Sequence, residues 1–145
     1  MASSNRLLDL SGSFCFAFAL FQAAIGFSPG LSLYFGAPES LTQHPATLIG
    51  TSLAVAAAMA IFGSYLWSGA GKIRRLPALK WGLAGICIIF ILRGLMVIPE
   101  FLAVAGMIDS PIPIAPRFVV FSLVALVFAV VMTLGTVGAW KSLNQ

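Results

Sequence analysis

Arg93 and Glu100 stand seven residues apart in ILRGLMVIPEF (residues 91–101), a stretch that holds no other charge. A guanidinium is a rigid fork of N–H donors and a carboxylate is an acceptor, so the pair suits three kinds of chemistry. Arg93 can capture an anionic group, Glu100 can act as acid or base, or the two can clamp helices together. Seven residues nearly complete two helical turns, which puts both side chains on one face but separates them by about 10 Å of rise. Direct contact therefore requires a bend. Pro99 can supply one, because it removes the hydrogen bond to the carbonyl one turn earlier. A water or another polar side chain is expected between the two charges.

Other candidate chemistry is sparse. His44 is the only histidine, flanked by Gln43 and Pro45. A haem held by two histidines cannot form within one chain, and zinc or di-iron centres need clustered ligands. His44, with Glu39 nearby, reads as a solvated loop residue. Cys15 and Cys87 lie in apolar runs without a CxxC pair and read as small packing residues. No serine triad, GxxxxGK or HExxH pattern is present. GSYLWSGAGK (residues 63–72) is glycine-rich but lacks phosphate-loop spacing, and reads as a connector. No catalytic residue, metal or cofactor is assigned, and a non-enzymatic role is favoured.

The elements that position Arg93 and Glu100 follow from composition. Of 145 residues 60% are hydrophobic and 8% charged, whereas soluble domains have roughly a quarter charged. That excludes the soluble class. A net charge of +4 can signal nucleic acid, but Lys72, Arg74, Arg75 and Lys80 fall in one connector between apolar runs, without interleaved aromatics. This is the pattern of a cytoplasmic membrane loop, and no nucleic-acid partner is expected. Four apolar segments, about 7–27, 46–68, 79–106 and 117–140, each approach the ~20 residues that span a ~30 Å hydrocarbon core. Lipid cannot satisfy backbone polar groups, so each is expected to be a helix, and β-barrel alternation is absent. The expected fold is all-α: a polytopic membrane protein, one antiparallel four-transmembrane-helix bundle over residues 1–145.

Residues 14–27 lack the basic flank and cleavage site of a signal peptide and read as a retained first helix. A cytoplasmic basic connector places both termini inside, in line with Arg6 and Lys141, and leaves Arg117 as the basic exception outside. Trp67, Trp81 and Trp140 then fall at inner helix ends, where indoles prefer to sit. Asp9 is expected to act as a helix N-terminal carboxylate. The outer loop 28–45 (SPGLSLYFGAPESLTQHP) is too long and apolar for a turn and is expected to lie on the membrane face or cap the bundle. DSPIPIAP (residues 109–116), with three prolines, is expected to be a stiff, extended connector. Gly50, Ala54 and Ala58 recur every four residues, as do Ala56 and Ala60; Gly82, Gly85, Gly135, Gly138 and Ala139 add further small positions. Such rows allow close helix approach within the bundle or across a homo-oligomer interface.

Depth then supplies partners for the charged pair. With the helices alternating in direction, Gln22, Thr51, Ser52 and Ser122 share the outer layer with Glu100, and Arg93 lies below them. The expected site is one polar, ligand-binding pocket formed by Arg93, Glu100, Gln22, Ser52 and Ser122, covered by residues 28–45.

LPALKWGLAGICIIFILRGL (residues 76–95) resembles small four-helix inner-membrane proteins of bacterial genomes, a group described as uncharacterised. The resemblance covers the proline-then-basic entry to the third helix and the Arg-Gly within it. It implies the bacterial inner membrane and brings no activity. Membrane-associated eicosanoid and glutathione enzymes share the size and helix count, but their polar signature is absent. The functional expectation is binding or passage of a small or amphipathic, anionic ligand through the site on helix three. The alternatives are an accessory subunit of a larger membrane complex and an enzyme acting on a lipid or quinone. Expected partners are the lipid bilayer and either a homo-oligomer or a larger membrane complex.

Overall fold

The computed structural model describes residues 2–109 and 114–141, so the centre of the expected 109–116 connector lies outside the described residues. Four long elements are present: α1 (Ala2–Ile25), α4 (Pro45–Gly69), α5 and α6 in sequence (Leu79–Leu95 and Val97–Val104), and α7 (Pro116–Ala139). Two short helices, α2 (Pro29–Tyr34) and α3 (Glu39–Thr42), occupy the 28–45 connector. Every regular element among the described residues is helical. Spans of 23, 25, 26 and 24 residues are long and apolar enough to cross a membrane. The chain is a multi-pass membrane protein of the all-helical class, and its exposed apolar side chains contact lipid.

Local chemistry sets the ends of these helices. Proline opens α2, α4 and α7, where its missing N–H removes no helical hydrogen bond and its ring presets φ. Three glycines close helices with positive φ, Gly36 after α2 (102°), Gly71 after α4 (79°) and Gly106 after α6 (70°). At each, two backbone N–H groups return to the last turn: Gly36 to Leu33 and Ala37 to Ser32, Gly71 to Ser68 and Lys72 to Trp67, Gly106 to Ala103 and Met107 to Leu102. A side chain would strain this left-handed cap, and glycine does not.

The long helices pack antiparallel in the lateral order α4, α1, α7, α5, with α1·α4 and α5·α7 the most extensive contacts. At one end Asp9 pairs with Lys72 at 2.7 Å, and the Lys80 ammonium lies 4.3 Å from the Trp140 ring centre. Those contacts bring the starts of α1 and α5 beside the ends of α4 and α7. The core of Leu8, Cys15, Leu66, Leu83, Cys87, Phe128 and Met132 fills the half next to this basic end. Both cysteines are free and buried in it, and the Cys87 thiol donates to Thr136 Oγ1. α4 meets α5 through Tyr65 against Gly82, Gly69 against Leu83 and Phe62 against Phe90, all in the same half.

The structure differs from the sequence reading at two places. α1 starts at Ala2, so Asp9 stands two turns inside the helix. Its partners are Lys72 and, through its backbone carbonyl, the Trp67 indole N–H at 3.3 Å. The third span is interrupted at Met96, three residues before the Pro99 that the sequence reading singled out. The row Gly50, Ala54 and Ala58 is not what joins α4 to α1: Gly50 and Ala54 are exposed, with open space beside Gly50. That contact is made by Gly12 and Gly63, where a Cβ on Gly63 would sit 3.1 Å from the Gly12 carbonyl oxygen and 2.8 Å from the Phe16 ring. Gly63→Val should therefore destabilise the bundle by about 1–3 kcal/mol through overpacking. Gly50→Ala should stay within about 0.5 kcal/mol. Denaturant titration of both variants in mixed micelles makes the comparison.

Candidate functional site

Arg93 and Glu100 meet, and Ser122 of α7 stands between them. Arg93 Nη1 donates to Ser122 Oγ, and the Ser122 hydroxyl donates to Glu100 Oε2 at 2.5 Å. The same Nη1 lies 3.5 Å from Glu100 Oε1. One hydroxyl thus accepts from the cation and donates to the anion, which uses both of its capacities and leaves no buried polar atom unmatched. Ser122 is fully buried, and the Glu100 side chain is 13% exposed against 44% for Arg93. The cluster is closed around the carboxylate and open around the guanidinium.

Two backbone features make this meeting possible. The first is the break between α5 and α6. Pro99 has no N–H to return to the Leu95 carbonyl, α5 ends at Leu95, and α6 restarts at Val97 with Glu100 in its first turn. A straight helix would keep the two residues about 10 Å apart along its axis, a gap that the two long side chains close with Ser122 between them. The second is Gly94. A Cβ there would lie 2.6 Å from Leu126 Cα and 2.9 Å from Leu126 N, so α5 and α7 touch backbone to backbone. That contact falls beside Arg93 and one helical turn from Ser122. Arg93 lies about 21 Å along its span from Leu79 and about 16 Å from the end at Val104, near mid-depth.

The single pocket expected from the sequence is corrected by the structure into two separate places. Gln22 and Ser52 do not join Arg93, Glu100 and Ser122. They line a cavity of about 250 Å³ between α1, α4 and the α2–α3 cover, with Ser32, Phe35, Leu41, Leu48, Thr51 and Val55. The physical reason is lateral order: α1 pairs with α4 while α7 pairs with α5 and α6. Residues at equal depth thus sit on different sides of the bundle. Phe35 connects the two places, lining the cavity and stacking on Phe121, next to Ser122, at 5.5 Å.

Arg117 is not a stray charge. Its guanidinium carbon lies 4.7 Å from the Tyr34 ring centre and 5.3 Å from that of Phe118, tying the α2 cover to α7. His44 is exposed at the N-cap of α4 and makes no side-chain capping bond. No group of three metal-ligating side chains occurs among the described residues.

Fold and cluster together define a four-span membrane bundle with an intramembrane Arg–Ser–Glu relay of hydrogen bonds. Comparison of the chain with protein-family models, curated proteins and solved structures gives no match in any of the three. The functional reading therefore rests on geometry.

Sequence reasoning placed Ser122 among the partners but passed over Gly94. The signal was present in the Arg-Gly dipeptide, since a glycine in mid-helix frees the space a neighbouring helix needs. Ser122→Ala should cost about 1–3 kcal/mol by leaving the mostly buried Glu100 short of a donor. Gly94→Ala should cost a similar amount by forcing α5 off α7. Because both act on one contact, the double variant should lose clearly less than the sum. Unfolding free energies of the two singles and the double in mixed micelles check the coupling.

Proposed function

We propose that this chain is a small bacterial inner-membrane protein whose Arg93–Ser122–Glu100 cluster binds, or passes, an amphipathic ligand carrying an anionic group. The observation that supports it is the exposure of Arg93. Its side chain is 44% exposed near the middle of a span, on a face where Ile89, Leu92 and Met96 are also exposed. A charge facing hydrocarbon there costs about 2.5–3.5 kcal/mol on insertion scales. Ser122 and Glu100 are met through Nη1, and a guanidinium has further N–H donors to offer. An anionic group arriving sideways from the bilayer would take those donors, and its apolar tail would lie along Leu92 and Met96. In this reading the basic connector and both termini face the cytoplasm.

A second reading is favoured by the same exposed face. Ile89, Leu92, Met96 and Phe101 flank the charged pair with exposed apolar surface that a partner helix would bury. The chain would then be an accessory subunit, with Arg93 closing an intramembrane contact in a larger complex or a homo-oligomer.

The two readings separate on one preparation. Protein purified in mild detergent should bind decanoate saturably, by native mass spectrometry or calorimetry. Arg93→Gln should weaken that binding by about tenfold to a hundredfold, the equivalent of one or two charge-assisted hydrogen bonds. Undiminished decanoate binding by Arg93→Gln overturns the ligand reading. A stoichiometric protein partner that is lost on Arg93→Gln would establish the subunit reading instead.

A further inference from the structure

The cavity beneath α2 and α3 has a different chemistry from the Arg93 cluster. None of its lining residues is charged, and its wall is divided almost evenly between apolar surface from residues such as Ile25, Phe35, Leu41, Leu48 and Val55 and polar surface. Two of its hydroxyls are already used locally: Ser32 Oγ donates to the Ile25 carbonyl at 2.8 Å, and Thr51 Oγ1 to the Thr47 carbonyl at 2.9 Å. Gln22 and Ser52 have no side-chain hydrogen-bond partner among the described residues. Ser52 is held in place by the close approach of α1, since a Cβ on Gly26 would come 2.5 Å from Ser52 Cβ. An amide and a hydroxyl, each able to donate and accept, therefore line one uncharged cavity of mixed polar and apolar wall.

We propose that this cavity is a second ligand site, for a small uncharged amphipathic molecule whose hydroxyl or carbonyl is bound by Gln22 and Ser52. An ion of either sign would meet no counter-charge here and would have to shed its hydration. An alkane would leave both polar side chains unmatched. With water occupying about 30 Å³ per molecule, a volume of about 250 Å³ suits a molecule of about eight to ten heavy atoms. The cover supplies the way in. α2 is pinned by Phe35 on Phe121 and by Arg117 against Tyr34, whereas α3 buries no residue. Leu31, Leu33 and Tyr34 are exposed on α2, so the cover lies where a molecule held at the membrane interface can reach the opening.

The test is photolabelling of the full-length protein in detergent with a diazirine-bearing octanol, alongside the matching diazirine octane. The octanol should label peptides containing Phe35, Leu41 or Val55 in a saturable manner, with competition by octan-1-ol and not by octanoate. Gln22→Leu and Ser52→Ala should each weaken labelling by about tenfold, the equivalent of one lost hydrogen bond. Arg93→Gln should leave it unchanged, which separates this site from the anionic one. Equal labelling by the alkane, unsaturable labelling or equal competition by octanoate overturns the proposal. Should either variant fail to fold, the competition series on the native protein still decides.

Discussion

A positive charge near the middle of a bilayer span is the constraint to which one half of this bundle conforms. Arg93 cannot be left to hydrocarbon without a penalty comparable to a sizeable part of a small protein's stability. Its neutralisation demands three things at once: a carboxylate, a hydroxyl to bridge, and a helix close enough to carry that hydroxyl. Glu100, in the first turn of α6, supplies the carboxylate, Gly94 admits α7, and α7 carries Ser122. Each of these looks like a local irregularity when viewed alone. Together they are one solution to the same electrostatic demand.

The α1·α4 half obeys a different constraint, and its means are correspondingly different. Gly12 against Gly63 and Gly26 against Ser52 draw the two helices together by shape. Asp9 and Lys72 close the end where the side chains reach water, at 33% and 51% exposure, and so contribute little by themselves. Trp67 adds more specificity there, because its indole both packs on Phe16 at 4.5 Å and donates to the Asp9 carbonyl. Where this half meets α2 and α3 it leaves the uncharged cavity lined by Gln22 and Ser52. One half thus holds its polar groups in mutual contact, and the other holds two of them without side-chain partners among the described residues in a partly open cavity.

Depth was legible in the sequence and lateral position was not. Apolar run length located the four spans because lipid leaves the backbone no alternative to a helix. Pro45 and Pro116 marked two helix starts to within a residue. The start of α1 was set at about residue 7 because the apolar run begins there, whereas the helix begins at Ala2 and so continues through the polar residues before that run. Pro99 marked the neighbourhood of the interruption at Met96. Depth also brought Gln22, Ser52, Ser122 and Glu100 into one layer, but a layer has a circumference. Where a residue falls around it depends on which helices neighbour each other, and that is decided by contacts such as Gly94 on Leu126 and Gly12 on Gly63. Pairs this distant in the chain leave no periodic trace.

The pattern of burial bears on whether the Arg93 cluster is a clamp or a site. A clamp serving stability alone is a poor use of two charges, since well-packed apolar residues of similar volume often hold a fold as firmly. A clamp would also be expected to enclose both partners alike, because each exposed charge in lipid adds to the penalty. Here the enclosure is unequal: Ser122 is fully buried, Glu100 nearly so, and Arg93 is open over 44% of its side chain. The carboxylate and hydroxyl meet the guanidinium through Nη1 and partly neutralise it, while 44% of the Arg93 side chain stays exposed. Such an arrangement leaves electrostatic and hydrogen-bonding capacity unspent in a medium where both are strong. That capacity is what an anionic group, or the polar face of a partner helix, would complete.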